Sequence, residues 1–167
     1  RAVTHPARSS GCLNRPSIRS PHCLDMHLLA AKPGGFIDEE GIVDLAQSPG
    51  DIVILSAQDS SLGLLAEVAD QLPADYPQLR LANLIHLAKP AAYDLYEETV
   101  LQHSQLIVVA LLGGVSYWRY GVEQLQELAQ KRGISLVLVP GDDQPDFELT
   151  SISNCTDEFC FNVWRYL

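Results

Sequence analysis

The residues with the most chemical potential in this sequence lie in the stretch 106–121, LIVVALLGGVSYWRYG. An apolar run halts at Gly113 and Gly114, and Ser116, Tyr117, Trp118 and Arg119 follow within five positions. Such a junction is either a strand end that meets a ligand or a turn that redirects the chain. Several chemistries can be set aside from the spacing alone. The block lacks the G-K-[ST] ending of a phosphate-binding P-loop, and its adjacent glycines do not fit the G-x-G-x-x-G dinucleotide fingerprint. The chain has no G-x-S-x-G elbow and no Cys-His nucleophile pair, so no catalytic residue is assigned. His27, His86 and His103 stand singly beside apolar residues, where a histidine packs more often than it reacts. Asp142 and Asp143 are the best carboxylate pair, yet neighbouring side chains rarely converge on one atom. Cys155 and Cys160 have the wrong spacing for a zinc pair, and no metal ligand set emerges.

Other polar groups cluster where elements should end. Ser56, Asp59 and Ser60 in SAQDSS could hydrogen-bond a ligand or cap the helix that follows. Gly34 and Gly35 in KPGG could admit a ligand or form a turn. Asn154-Cys155-Thr156 matches a glycosylation acceptor formally, by chance in the absence of a secretory signal.

Five apolar runs must position these groups: 26–31 (MHLLAA), 51–57 (DIVILSA), 80–85 (RLANLI), 106–112 (LIVVALL) and 135–141 (SLVLVPG). IVIL and LIVVALL are continuous rather than alternating, the mark of strands buried on both faces of a parallel sheet. Helical periods lie between them. Leu62, Leu65, Ala66 and Ala69 share one face, as do Tyr93, Tyr96, Val100 and His103 after Pro90. Val122, Leu125, Leu128 and Ala129 define a third, ending at Gly133 behind Lys131 and Arg132. A short helix is expected around Asp38 to Gln47, and a polar loop from Asp142 to Cys160. The pattern predicts an α/β fold, a three-layer α/β/α sandwich on a mostly parallel, five-stranded, flavodoxin- or Rossmann-like sheet. Ligands of such sheets bind beyond the carboxyl ends of the strands.

Composition bounds the function. The 167 residues suit one domain. A net charge of −10 argues against a nucleic-acid partner, and no apolar run is long enough to span a membrane. Residues 1–25 hold four of the eleven basic residues and one acid, are rich in Ser and Pro, and lack either structural period. They read as a leader extraneous to the fold, upstream of a natural start at Met26, or as a transit peptide. The expected organisation is a leader at 1–25, an α/β head at 26–149, and a linker with the start of a truncated helix at 150–167. The four cysteines lie outside the regular middle of the chain, which argues against a disulfide framework.

The segments HLLAAKPGGFIDEEGIVDLAQSPGDIVILSAQDSSLGLLAEV, LRLANLIHLAKPAAYDLYEETVLQHSQLIVVALLGGVSYW and LLGGVSYWRYGVEQLQELAQKRGISLVLVPGDDQPDFEL closely resemble the amino-terminal region of the large subunit of aerobic cobaltochelatase. That family is related to the large subunit of magnesium chelatase. The resemblance covers residues 26 to about 149, and G-G-x-S-Y-W-x-Y-G at 113–121 is its most specific element. It implies insertion of cobalt, as substrate, into hydrogenobyrinic acid a,c-diamide during cobalamin synthesis. ATP and magnesium would be handled by partner subunits, an AAA+ ATPase and its co-subunit, in the cytoplasm. This stretch alone would bind no cofactor and be inactive. The residues that could meet the tetrapyrrole are Gly113 and Gly114, by close backbone approach, and Ser116, by presenting N–H groups to an anion. Tyr117, Trp118 and Arg119 would add aromatic surface and charge, with Ser56 and Asp59 on a neighbouring strand end. Two readings compete with this one: a non-catalytic α/β module that docks a partner subunit, and a magnesium chelatase large subunit acting on protoporphyrin. A flavin- or nucleotide-binding domain is disfavoured because AAKPGG lacks a Ser/Thr-rich phosphate cradle.

Overall fold

The apolar runs form strands because β-branched residues pack well on a pleated surface and each run is short enough to be crossed by a helix on either side. The computed structural model describes residues 42–167. In chain order it contains β1 (Ile52–Ser56), α1 (Asp59–Ala69), β2 (Leu79–Asn83), α2 (Pro90–Thr99), β3 (Leu106–Leu111), α3 (Arg119–Arg132), β4 (Ser135–Pro140), α4 (Phe147–Ile152) and α5 (Asp157–Tyr166). All strand pairs are parallel and the sheet order is β2-β1-β3-β4. The fold is thus α/β with four strands among the described residues. The run at 26–31, expected as a further strand, lies outside them.

The two faces of the sheet are covered differently. Val53 and Leu55 of β1, Ile107 and Val109 of β3, and Leu136 and Leu138 of β4 point to one face, where they join Tyr93, Tyr96, Val122 and Leu125 in a sealed core. That face is covered by α2 and α3. On the other face Val108, Ala110, Val137 and Val139 meet Cys160, with Val163, Trp164 and Leu167 packed against them. There α5 covers β3 and β4, while α1 lies over β1 and β2, as right-handed crossovers require.

The structure departs from several sequence expectations. No helix forms over the described part of Asp38–Gln47. Asp44 Oδ1 accepts from the Ala46 N–H at 2.7 Å and Ala46 sits at φ 48°, which breaks any helical run. Instead the segment is tied down by side chains: Gln47 donates to the Leu81 carbonyl at 2.8 Å and accepts from the Tyr96 hydroxyl at 2.5 Å. Buried Arg80 donates to the Ser48 and Pro49 carbonyls at 2.7 and 2.8 Å. The expected polar loop over 142–160 contains α4 and the start of α5, because Asp146 and Thr156 accept hydrogen bonds from Leu149 N–H and Phe159 N–H and so start a helix each. Within 150–167, expected as a linker and the start of a helix, Asn154 pairs with the β4 edge through the Leu136 N–H at 2.7 Å and the Ile134 carbonyl at 2.8 Å, and α5 packs on the sheet. His103 leaves the buried stripe of α2 because the 3-10 turn Leu101–His103 shifts the helical period and leaves it exposed.

Burial raises the hydroxyl pKa of both Tyr93 and Tyr96, with Glu97 adding to the effect at Tyr93 and Arg80 partly opposing it at Tyr96. Above about pH 10 the unfolded chain releases phenolic protons that the folded chain retains, so stability falls as pH rises. Below that pH the stabilisation is intact; above it each tyrosine contributes a slope of about 1.4 kcal/mol per pH unit. Buried Cys160, also raised, adds a change of the same sign that begins at lower pH. Urea midpoints should therefore fall steeply between about pH 9 and 11, and less steeply in Tyr96→Phe. Midpoints that stay level over that range would contradict the burial of both rings.

Candidate functional site

The strand order places a reversal at the centre of the sheet. From β1 the chain moves outward to β2, then returns across β1 to β3 and onward to β4. A crevice opens at such a switch point, beyond the carboxyl ends of the two strands involved. Here Ser56 and Ala110, register partners at those ends, line a cavity of about 550 Å³. Its walls come from Gln58 and Ser61 of the β1–α1 junction, Pro140 and Gly141 of β4, and Phe161 and Trp164 of α5. The size falls within the range of about 300–1,000 Å³ typical of small-molecule sites.

Hydrogen bonds fix this rim. Ser56 Oγ accepts from the Gln58 N–H at 3.1 Å. The Gln58 amide then bridges α1 to β4, donating to the Gly141 carbonyl and accepting from the Ser61 hydroxyl. Trp164 Nε1 donates to the Asp142 carbonyl at 2.9 Å and locks α5 across the β4 end. Asp59 accepts from the Asn83 amide at 2.6 Å, joining the β1 and β2 ends. No side chain caps α1, so the capping role open to Ser56, Asp59 and Ser60 is not used.

The 113–121 block lies at the β3 end and continues under the sealed face. Gly113 and Gly114 take φ of 83° and 70°, a left-handed pair that non-glycine residues resist, and this turns the chain into the 3-10 turn Val115–Trp118. Trp118 is 6% exposed, donates from Nε1 to the Leu87 carbonyl at 3.1 Å, and meets Tyr93 edge-on with centroids 5.6 Å apart. Gly121 makes room for it. A Cβ there would lie 2.1 Å from Trp118 Cε2. Tyr120 packs edge-on against Tyr93 and donates to Asp94 at 2.6 Å, which raises the Tyr120 pKa.

The sequence-derived site residues therefore divide into separate places. Ser116, Tyr117 and Arg119 are exposed, Tyr117 by 56%, beside the Gly113–Gly114 turn. Trp118 faces the core. Ser56 alone among them lines the switch-point cavity, and Asp59 stands at the start of α1. Sequence reading missed Gln58, Gly141, Phe161 and Trp164. The signal for Gln58 and Gly141 was their position at strand ends; for Phe161 and Trp164 it was the short apolar period that closes the sequence. Among the described residues no group of His, Cys, Asp and Glu is arranged to hold a metal ion.

Comparison with known proteins gives this geometry a context. No protein-family model matches the chain. Over 142 residues, 85% of the chain, it is 54% identical to aerobic cobaltochelatase subunit CobN of Pseudomonas aeruginosa. It is homologous to that subunit. The CobN of a Sinorhizobium species is 38% identical over 141 residues, 84% of the chain. In both cases the chain spans only 11% of the length of the CobN relative. Among solved structures, the catalytic subunit of cobaltochelatase from Mycobacterium tuberculosis shares the fold over 71% of this chain and 9% of its own, with a TM-score of 0.53 and 24% identity. No described helix is long and apolar enough to cross a membrane.

Much of the 113–121 block has an internal packing reason, and this yields a sign reversal. Gly→Ala inside a helix ordinarily stabilises by about 1 kcal/mol. Gly121→Ala should instead destabilise by about 1–3 kcal/mol, because the rigid indole cannot yield. In a Trp118→Leu background the penalty should shrink or vanish, a coupling that a double-mutant cycle of denaturant midpoints measures. Additive effects would contradict the contact.

Proposed function

We propose that the chain is the amino-terminal segment of the large subunit of an ATP-dependent cobaltochelatase, which inserts cobalt into hydrogenobyrinic acid a,c-diamide in aerobic cobalamin synthesis. The observation that carries this reading is 54% identity to a CobN subunit over 85% of the chain. Cobalt is the metal substrate. ATP and magnesium belong to separate subunits, an AAA+ ATPase and its co-subunit, in keeping with a sequence that has no P-loop. In this reading the segment acts in the cytoplasm, carries no metal ligand of its own and does not catalyse insertion alone.

Its contribution is the carboxyl edge of the sheet. A tetrapyrrole is a flat macrocycle fringed with carboxylates and amides. The Gly113–Gly114 turn offers close backbone approach, exposed Tyr117 an aromatic surface, and exposed Arg119 a cation that no neighbouring carboxylate neutralises in hydrogen-bond range among the described residues. Ser116 adds a hydroxyl beside them, and Ser56 and Asp59 stand at the adjoining strand end. In this reading Trp118 is a positioning residue, since its indole anchors the 3-10 turn from which Ser116 and Tyr117 project.

A second reading, a docking module that never touches the macrocycle, draws on the same inward-facing Trp118. Kinetics of the long subunit separate the two. Tyr117→Ala and Arg119→Ala should each raise KM for the tetrapyrrole by up to about tenfold, ~1.4 kcal/mol, with thermal stability unchanged. Trp118→Ala should lower stability first. An unchanged KM in both surface variants would favour the docking module.

A further inference from the structure

The two outer layers of this fold differ in what they show to their surroundings. On α2 and α3 the outward positions include Asp94, Glu98, Glu123, Glu127 and Lys131, a charged face suited to water. On α1, beside exposed Gly63 and Glu67, the outward positions include Leu64 and Val68, 65% and 55% exposed and one helical turn apart. They continue the row that Ser61 begins at the rim of the cavity. On the same face of the sheet, α5 presents Phe161, 56% exposed, and the half-buried Trp164, which line that cavity together with Ser61. The sheet beneath is also less covered. Ile52, Ile54 and Leu106 are half-buried, whereas Val53, Leu55 and Ile107 on the opposite face are fully buried. A helix that carries an apolar row on its outer side as well as its inner one, as α1 does at Leu64 and Val68, is suited to packing between two layers.

Charge defines what fits against it. Asp142 and Asp143 line the cavity, Asp59 and Glu67 are exposed on α1 and Asp157 and Glu158 on α5, and Arg165 is the one cation on those elements. We propose that the groove between α1 and α5 docks a basic amphipathic helix supplied by the rest of the long cobaltochelatase subunit. Its apolar residues, spaced three and four apart, would seat between Leu64, Val68, Phe161 and Trp164, with lysines and arginines meeting the acidic borders. The supply from the same polypeptide follows from length, since this chain matches only 11% of each CobN relative. That assignment of source rests on the cobaltochelatase reading; the chemistry of the groove does not.

The probe is an idealised amphipathic helix of leucine and lysine, titrated calorimetrically into the 167-residue chain, with the leucine–glutamate counterpart as control. The basic peptide should bind at least about tenfold more tightly than the acidic one and weaken as salt is raised. Leu64→Ser combined with Val68→Ser, both exposed and so harmless to folding, should reduce its affinity by about tenfold. Equal binding of the two peptides, no binding, or indifference to the double substitution would overturn the groove. So would sedimentation showing that a second copy of the chain already occupies this face. For the source, amide exchange at 61–68 and 161–167 should be slower in the long subunit alone than in this chain. Protection that arises only when a separate subunit is added would overturn the assignment to the same polypeptide. The peptide experiment is independent of cobalt insertion, so its failure and a failure of the chelatase reading are told apart.

Discussion

Everything distinctive in this structure depends on the position of β1, which pairs with β2 on one side and β3 on the other. Parallel pairing forces each connection to cross a face, and placing β1 in the middle forces the crossovers to opposite faces. The chain therefore separates its helices into α1 on one side and α2 with α3 on the other. It also leaves a crevice where the direction reverses, between Ser56 and Ala110. No polar cluster had to be invented for that site. The strand ends supply Gln58, Asp59, Gly113 and Gly141 because a strand must stop somewhere before its helix begins.

The aromatic block after β3 shows how a sequence signature can be specific without being wholly a ligand site. Gly113 and Gly114 satisfy a backbone conformation, Trp118 fills the core, Gly121 accommodates its ring, and Tyr120 ties α3 to α2 through Asp94. Those constraints are coupled, since losing the glycine displaces the indole and losing the indole frees the turn. What the packing leaves unexplained is Ser116 and Tyr117, exposed on the turn that the others hold in place, and Arg119, exposed at the start of α3. A fixed turn that carries free side chains is the arrangement expected of a recognition surface on a rigid scaffold.

Strands β1 and β3 were legible because continuous apolar runs bounded by polar residues have few alternatives at that length, whereas β2 showed only as a short run interrupted by Arg80 and Asn83. Helix α3 was legible from its period and from Gly133, which ends it in a left-handed conformation. Other features were not. Helix α4 has six residues, too few for a period to show, and its start depends on one aspartate side chain. The Asp44–Ala46 turn overrode a helical composition through a local hydrogen bond. The direction of Trp118 could not be read at all, because an aromatic ring after a strand faces the core or the solvent according to which helix arrives beside it. Of the site, the strand-end loops were visible in sequence, whereas the cavity required α5 to fold back and bring Phe161 and Trp164 to Ser56.

In the proposed function the carboxyl edge of this sheet meets a tetrapyrrole. The most direct measurement is a titration of hydrogenobyrinic acid a,c-diamide into isotopically labelled chain, followed by amide chemical shifts. Shifts should be confined to the strand-end loops, centred on Gly113 to Arg119 and reaching Ser56 and Asp59, with the α2 and α3 outer faces silent. Shifts centred on the amino ends of the strands, or none at concentrations that saturate the long subunit, would contradict it.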